Sequence, residues 1–293
     1  MNTFTQILSN GFLLLIGVLC MLIAVALLLI VGKQKETNQR FQRMVYGLLS
    51  VGVTCALLSG APLHYLWYLL LVVMTVAVCV IVKKRMWSYN VRRAWIAGLI
   101  AVLLGMAISE ILWQIDPGLP AGNYSRIYVL GDSISAGLSD DETTWPTILA
   151  EKHPQWQVVN LARAGARISD AIHQADGLAA DSCVVVLEIG GNDILNLGGM
   201  NQFEADLEQL LKKICRPDRC VVMLELPSAP LLNGYVRAQR ELALRYHVKL
   251  VPRRHFCRIL ALAGSTTDGL HLSLIGHQAL AELIKKIISP AML

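Results

Sequence analysis

Charge is scarce in this 293-residue chain: Asp, Glu, Lys and Arg make up 16% of it, and 55% is hydrophobic. That composition excludes an ordinary soluble surface for the chain as a whole. The scarcity is uneven. Residues 1–123 hold three acids, Glu36, Glu110 and Asp116, against nine Lys and Arg, a net of +6. Residues 124–293 hold eighteen acids against seventeen bases, a net of −1. The basic excess therefore belongs to the apolar half, where the cations flank hydrophobic runs and do not cover a folded surface. This placement argues against a nucleic-acid partner. Other absences narrow the field. Met1–Asn10 has no Lys or Arg, and no small-residue cleavage site follows a short apolar core, which argues against a cleaved leader. There is no internal repeat and no low-complexity tract. His153, His173, His247 and His255 show no paired spacing with acids or thiols, so neither a metal site nor a cofactor is expected.

The apolar half is organised in long runs. Gly11–Gly32 is 22 residues without a charge, enough to cross a bilayer as a helix. Met44–Leu63 and His64–Val82 are two more such runs, separated by little more than Ser59–Pro62 and so read as a hairpin. Ala94–Trp113 is the fourth, interrupted only by Glu110. A membrane domain over 1–113 is therefore expected, with helices at about 11–32, 44–63, 64–82 and 94–113. Lys33, Lys35, Arg40 and Arg43 lie between the first two spans, and Lys83, Lys84, Arg85, Arg92 and Arg93 between the last two. Under the positive-inside rule both basic loops are cytoplasmic. The expected location is thus multi-pass in the cell (inner or plasma) membrane, with the remainder of the chain on the extracytoplasmic, periplasmic side. Tyr65, Trp67, Tyr68 and Trp113 would mark the outer interface, and Trp87, Tyr89 and Trp95 the inner one. Glu110, one turn from Trp113, reads as a carboxylate reaching the headgroups.

Gln114–Asn123, QIDPGLPAGN, is a linker by composition. Fully extended it reaches at most about 35 Å, so a domain at 124–293 is held near the bilayer. There the pattern changes to short apolar runs at Ile127–Leu130, Val158–Leu161, Val184–Ile189, Val221–Leu224 and Lys249–Val251. Helical stretches such as Pro146–Lys152, Phe203–Ile214 and Tyr235–Tyr246 lie between them. Such alternation predicts an α/β domain with a five-stranded, doubly wound parallel sheet of flavodoxin-like kind.

Four short blocks fall at the carboxyl ends of these strands or before the last helix. They are Gly131-Asp132-Ser133, Asn160 to Gly165, Gly190-Gly191-Asn192-Asp193, and Asp268-Gly-Leu-His271. In a doubly wound sheet those ends line one crevice. A serine hydroxyl needs a base, which His271 can be, and the imidazole needs an orienting partner, which Asp268 can be. An oxyanion formed by attack on an ester needs donors. The Ser133 and Gly165 backbone N–H groups and the Asn192 amide are the candidates. Asp193 could be a second acid, whereas Ser135 reads as a helix-start cap and His277 as structural. Among the seven cysteines, Cys20, Cys55 and Cys79 read as small apolar residues of the spans. A bridge between Cys215 and Cys220 is left open, as is a pairing of Cys183 with Cys257.

On these four blocks the chain resembles the SGNH (GDSL-type) hydrolases, named for the Ser, Gly, Asn and His filled here by Ser133, Gly165, Asn192 and His271. Asp268 fits that family's Asp-x-x-His, and the resemblance implies that Asp193 braces the crevice loops. Trp145-Pro146 is similar to the thioesterase/lysophospholipase-like branch. The resemblance covers about residues 126–289 and says nothing of 1–113. It implies an SGNH fold and a serine ester hydrolase with Ser133, His271 and Asp268 as catalytic residues. The short tether points to acyl-ester substrates at the membrane surface, either lipids or acylated envelope glycans. Two other readings stay open: an acyltransferase that passes the acyl group to a sugar hydroxyl, and a non-catalytic membrane scaffold. The sequence names no protein partner.

Overall fold

The computed structural model describes residues 11–31, 39–84, 88–179, 181–196, 198–227 and 232–293. Of the features singled out above, Met1–Asn10, Lys33, Lys35, Arg85 and Trp87 lie outside the described residues, as do the side chains of Lys83, Lys84 and Tyr89. Two compact units are present, a helical one that ends at Trp113 and an α/β one that begins at Gln114.

The helical unit contains α1 (Phe12–Val31), α2 (Gln39–Leu58), α3 (Tyr65–Lys84) and α4 (Tyr89–Leu112). All four are long and apolar enough to cross a membrane. Their buried positions recur every three or four residues: Leu14, Val18, Met21 and Val25 on α1, then Val45, Leu49, Gly52 and Ala56 on α2. That spacing makes the narrow seam of nearly parallel packed helices. At the α1–α2 crossing the backbones touch. A Cβ added to Gly17 would lie 2.6 Å from the Gly52 carbonyl oxygen, so no other residue fits without displacement.

Two features differ from the sequence reading. The second helix runs from Gln39 to Leu58, not from Met44 to Leu63. Ser59-Gly60-Ala61-Pro62 stops it, because proline disfavours helical geometry in the residue before it. The Ala61 carbonyl is taken instead by the Tyr68 hydroxyl at 2.7 Å. Glu110 is completely buried and does not reach outward. It continues the inward stripe of Ile96, Leu99, Leu103 and Met106 on α4, a helical register that decides its direction.

In the α/β unit, β1 (Arg126–Gly131), β2 (Gln157–Asn160), β3 (Cys183–Glu188), β4 (Arg219–Leu224) and β5 (Lys249–Val251) form one parallel sheet. Their order is β2-β1-β3-β4-β5, the expected flavodoxin-like arrangement. Every residue of β3, CVVVLE, is buried, as a strand covered on both faces requires. The intervening helices are α5 (Ser133–Ala136), α6 (Trp145–Lys152), α7 (Ile168–Gln174), α8 (Gly191–Leu195), α9 (Met200–Ile214), α10 (Asn233–Arg245), α11 (Arg253–Ala261) and α12 (Leu274–Ile288). On one face Ile127, Val129, Val184, Val186 and Val222 meet Trp145 of α6, Phe256 of α11 and Leu280 and Ile284 of α12. Pro146 sits in the first turn of α6, where its missing N–H has no intrahelical partner to lose.

The bridge left open between Cys215 and Cys220 is not formed, and Cys183 and Cys257 are likewise free thiols. Cys220 packs its side chain into the sheet core, whereas Cys215 caps the end of α9. Burial pushes the Cys183 and Cys215 thiols up to about 11 and Cys257 to about 12, which leaves them unreactive near neutrality.

Candidate active site

The chain leaves β1 at Gly131 and turns at once into α5. Asp132 caps that helix, its Oδ1 accepting the Ile134 N–H at 3.0 Å. Ser133 follows as the first residue of α5 and lies half-buried on the wall of a cleft of about 270 Å³. Asn192 and His271 line the same cleft. The rest of its wall is largely apolar: Leu195, Leu226, Pro227, Phe256, Leu260 and Leu270.

Asn192 opens α8 just beyond β3. Its Nδ2 donates to the Ala166 carbonyl at 3.0 Å and, at the longer distance of 3.4 Å, to Asp132 Oδ2. Gly165 is not among the residues lining the cleft but is covalently joined to Ala166, whose carbonyl Asn192 holds. Its φ of +75° lies in the left-handed region, where a side chain would be strained. The loop carrying it is pinned to the end of β1 by the Arg163 N–H donating to the Gly131 carbonyl at 3.1 Å. Asn160 ties the same loop to α5 through its Nδ2 and the Ser135 carbonyl, at 2.8 Å.

On the far lip, Asp268 Oδ2 lies 2.6 Å from His271 Nδ1. Its Oδ1 accepts the Leu270 and His271 backbone N–H groups at 2.9 and 2.8 Å. These three bonds, the imidazole first, hold the Asp268 carboxyl well below the usual carboxylate range. With Nδ1 engaged by Asp268, Nε2 is the ring nitrogen of His271 left to act as a base. The cleft thus joins Ser133, Asn192 and His271, and His271 brings Asp268 with it.

A buried chain of polar groups lies beneath the serine, and the sequence reading did not anticipate it. Glu188, the last residue of β3, accepts the Ser135 hydroxyl at 2.8 Å, and Ser135 accepts the Trp145 indole N–H at 3.0 Å. Glu188 also shares a hydrogen bond with the carboxyl of Asp132. Burial, and next the charge of Asp132, raises Glu188 well above the ordinary range, while burial pushes Asp132 up to about 6. Both carboxyls are thus pushed toward their protonated forms, Glu188 well above its ordinary range. An acid ending a strand otherwise buried throughout was the available signal.

The remaining candidates are placed as follows. Ser135 does not cap α5; Asp132 does, because its side chain precedes the helix and can fold over its first N–H groups. Asp193 Oδ2 accepts the Ile168 N–H at 3.2 Å and so fastens α8 to the start of α7. His277 is buried between the Trp145 N–H, 3.2 Å from its Nδ1, and Glu142 Oε1, 2.9 Å from its Nε2, a structural clamp. Among the described residues no three His, Cys, Asp or Glu side chains gather as a metal site would require.

The profile of the GDSL-like Lipase/Acylhydrolase family matches residues 129–279, just over half of the chain. The esterase TesA of Pseudomonas aeruginosa is 26% identical over an alignment of 178 residues that covers 56% of this chain and 88% of that protein. A crystal structure of TesA superposes with a TM-score of 0.51 at 25% identity, covering 56% of this chain and 98% of that one. The matched segment carries all of the cleft residues described above. The α/β unit therefore has the SGNH-hydrolase fold, and the chain belongs to the GDSL-like lipase/acylhydrolase family as a carboxylic ester hydrolase.

Proposed function

We propose that the protein is a membrane-anchored, extracytoplasmic serine hydrolase that cleaves acyl or acetyl esters of lipids or envelope glycans close to the bilayer. The Ser133 hydroxyl attacks the ester carbonyl while His271 Nε2 takes its proton, and Asp268 holds the imidazole in position. The negative charge that develops on the carbonyl oxygen is met by the Ser133 and Gly165 backbone N–H groups and by the Asn192 amide. The weaker of the two Asn192 bonds, at 3.4 Å, is the one that can turn toward the substrate. His271 then gives its proton to the leaving alcohol. A water deprotonated by the same imidazole attacks the acyl-enzyme and releases the acid.

The observation that carries this reading is the 2.6 Å pair of His271 and Asp268 on the lip of a cleft also lined by Ser133 and Asn192. Ester chemistry is further supported by the named esterase among its relatives. Anchoring is supported by four helices of spanning length, and sidedness by the cations at 33–43 and 83–93. The test is Ser133→Ala in the full chain. Hydrolysis of p-nitrophenyl esters should fall by about 10⁴-fold or more, and covalent labelling by a fluorophosphonate should vanish. Cleavage by this variant at the wild-type rate would eliminate the mechanism. A carboxyl-terminal reporter active only in the cytosol would overturn the sidedness.

A further inference from the structure

The α/β unit has a second hollow besides the cleft. A groove of about 450 Å³ lies between α11 and α12 and shares no lining residue with the cleft. Its walls follow from helical periodicity. On α11, His255, Arg258, Ile259 and Leu262 fall on one side and line the groove, whereas Phe256 and Leu260 line the cleft. On α12, Ala279, Leu283 and Lys286 recur at the same spacing and close the groove from the other side. One helix thus serves two separate hollows.

The groove is apolar in its walls and cationic at its edge. Ile259 and Leu283 are buried there, and Leu262 is 49% exposed. Arg258 and Lys286 are exposed, and Arg258 makes no ion pair among the described residues. Lys286 Nζ lies 4.0 Å from Asp116 Oδ2, a carboxylate that Arg254 and His255 already engage. Glu282, the acid that lines the groove, is held by Lys152 at 2.8 Å. The positive charge is therefore incompletely matched.

His255 adds an independent sign. Its side chain is only 6% exposed, and its Nε2 lies 2.5 Å from Asp116 Oδ1. Its Nδ1 is buried without a hydrogen-bond partner among the described residues. A buried ring nitrogen left unpaired is uncommon in a folded protein and calls for a polar group from elsewhere.

A molecule that fits has the opposite build, an apolar chain ending in an anion. At roughly 30 Å³ for each heavy atom, as for a water in the liquid, the groove holds about fifteen. That is one medium-length chain with its head group, and not the paired chains of a phospholipid. A guanidinium such as Arg258 grips a carboxylate with two parallel N–H groups. Carboxylic ester hydrolysis, the chemistry of this family, releases acids of that kind.

We propose that the groove between α11 and α12 is a second binding site that takes a free amphiphilic carboxylate, its head group at Arg258 and Lys286 and its chain along Ile259, Leu262 and Leu283. The site does not depend on the roles given to Ser133 and His271. The test uses the full chain in phosphatidylcholine nanodiscs with decanoate bearing a photoreactive diazirine, and the adduct is mapped by mass spectrometry. Label should enter 258–262 and 279–286, and it should fall about tenfold in Arg258→Ala/Lys286→Ala. The charge-preserving pair Arg258→Lys/Lys286→Arg should restore most of it. Leu262→Glu, which puts an anion in the groove and leaves the Asp116 pairs alone, should also lose it. Turnover of p-nitrophenyl acetate within about twofold of wild type reports that each variant is folded, since no groove residue lines the cleft. Equal labelling by the matching diazirine alcohol, full displacement by inorganic phosphate, or label confined to the cleft residues Phe256, Leu260 and Leu270 would overturn the site. Failure of the wild-type chain to cleave any ester would sink the hydrolase reading and leave the groove standing.

Discussion

The two units differ in how much apolar side chain they leave exposed. In the helical unit large apolar side chains lie on both sides, with Ile16, Leu19, Ile23, Leu69 and Val73 exposed and Leu14, Met21, Leu49, Leu99 and Leu103 buried, and Gly17 meets Gly52 where α1 crosses α2. In the α/β unit, Val, Ile and Leu fill the interior and enclose ionisable groups: Asp132, Glu188, Glu225, Arg240 and Arg253. At the α1–α2 crossing it is close backbone approach that joins the helices. A water-soluble sheet gains roughly 1.5–3 kcal/mol from each large apolar side chain it buries, enough to offset the cost of placing acids inside. Those acids are partnered: Glu225 Oε1 lies 2.5 Å from Arg240 Nε, and Glu188 meets Ser135 and Asp132. Only one of these groups, the Asp132–Glu188 pair, touches the nucleophile's own turn.

Three measurements would break or sharpen this contrast. The largest effect is expected at Asn192, the polar side chain that belongs to the cleft and not to the core. Asn192→Ala should lower kcat by about 10²–10³-fold with KM little changed, the signature of a donor used mainly in the transition state. Steady-state kinetics on a soluble ester would show it, and a loss confined to KM would remove Asn192 from that role.

A smaller effect is expected from the buried acid pair. Because Asp132 and Glu188 both bind protons more tightly folded than unfolded, they favour the native state below about pH 4 and lose that contribution as pH rises through about 6 for Asp132. Wild-type stability should fall over that window by about 1–3 kcal/mol more than that of Glu188→Gln, read from denaturant melts at a series of pH values. Parallel curves for the two proteins would mean that burial does not raise Glu188 as its surroundings imply.

The helical unit supplies the third. Gly52→Val places carbon against the Gly17 carbonyl oxygen, 2.8 Å from where a Cβ would stand, and against Met21 Cγ at 2.3 Å. Overpacking there should cost about 1–3 kcal/mol in the helical unit, seen as a lower thermal midpoint in detergent. Turnover of a water-soluble ester should change less than twofold, since the cleft lies wholly in the other unit. An equal loss of turnover would show that the two units are not energetically separate.

Much of this was legible in the sequence. β-branched runs such as Val184–Val186 can hardly be anything but buried strands, and the parallel order then brings Ser133, Asn192 and His271 to one edge. Periodicity carried less at ends and at directions. The apolar window of the second span ran straight through Ser59–Pro62 although the helix could not. Glu110 was placed by its neighbourhood to Trp113, when the stripe of Leu99, Leu103 and Met106 shows which way it points. Spacing made Cys215 and Cys220 look like a bridge, but only a register tells whether two side chains face each other. Glu188 was hidden because a single acid in an apolar run carries no partner in sequence: Ser135 and Asp132 lie more than fifty residues away.

Ser135 ends its hydroxyl in two fixed bonds, its proton toward Glu188 and a lone pair toward the Trp145 indole. With its proton and one lone pair so engaged and its side chain buried, this oxygen is closed to solvent. Two serines stand two residues apart on one short turn, yet only the outer is chemically available. The inner one works as a rivet joining the first helix to the third strand, and an adduct mapped to that peptide can be assigned to the outer residue without separating the pair.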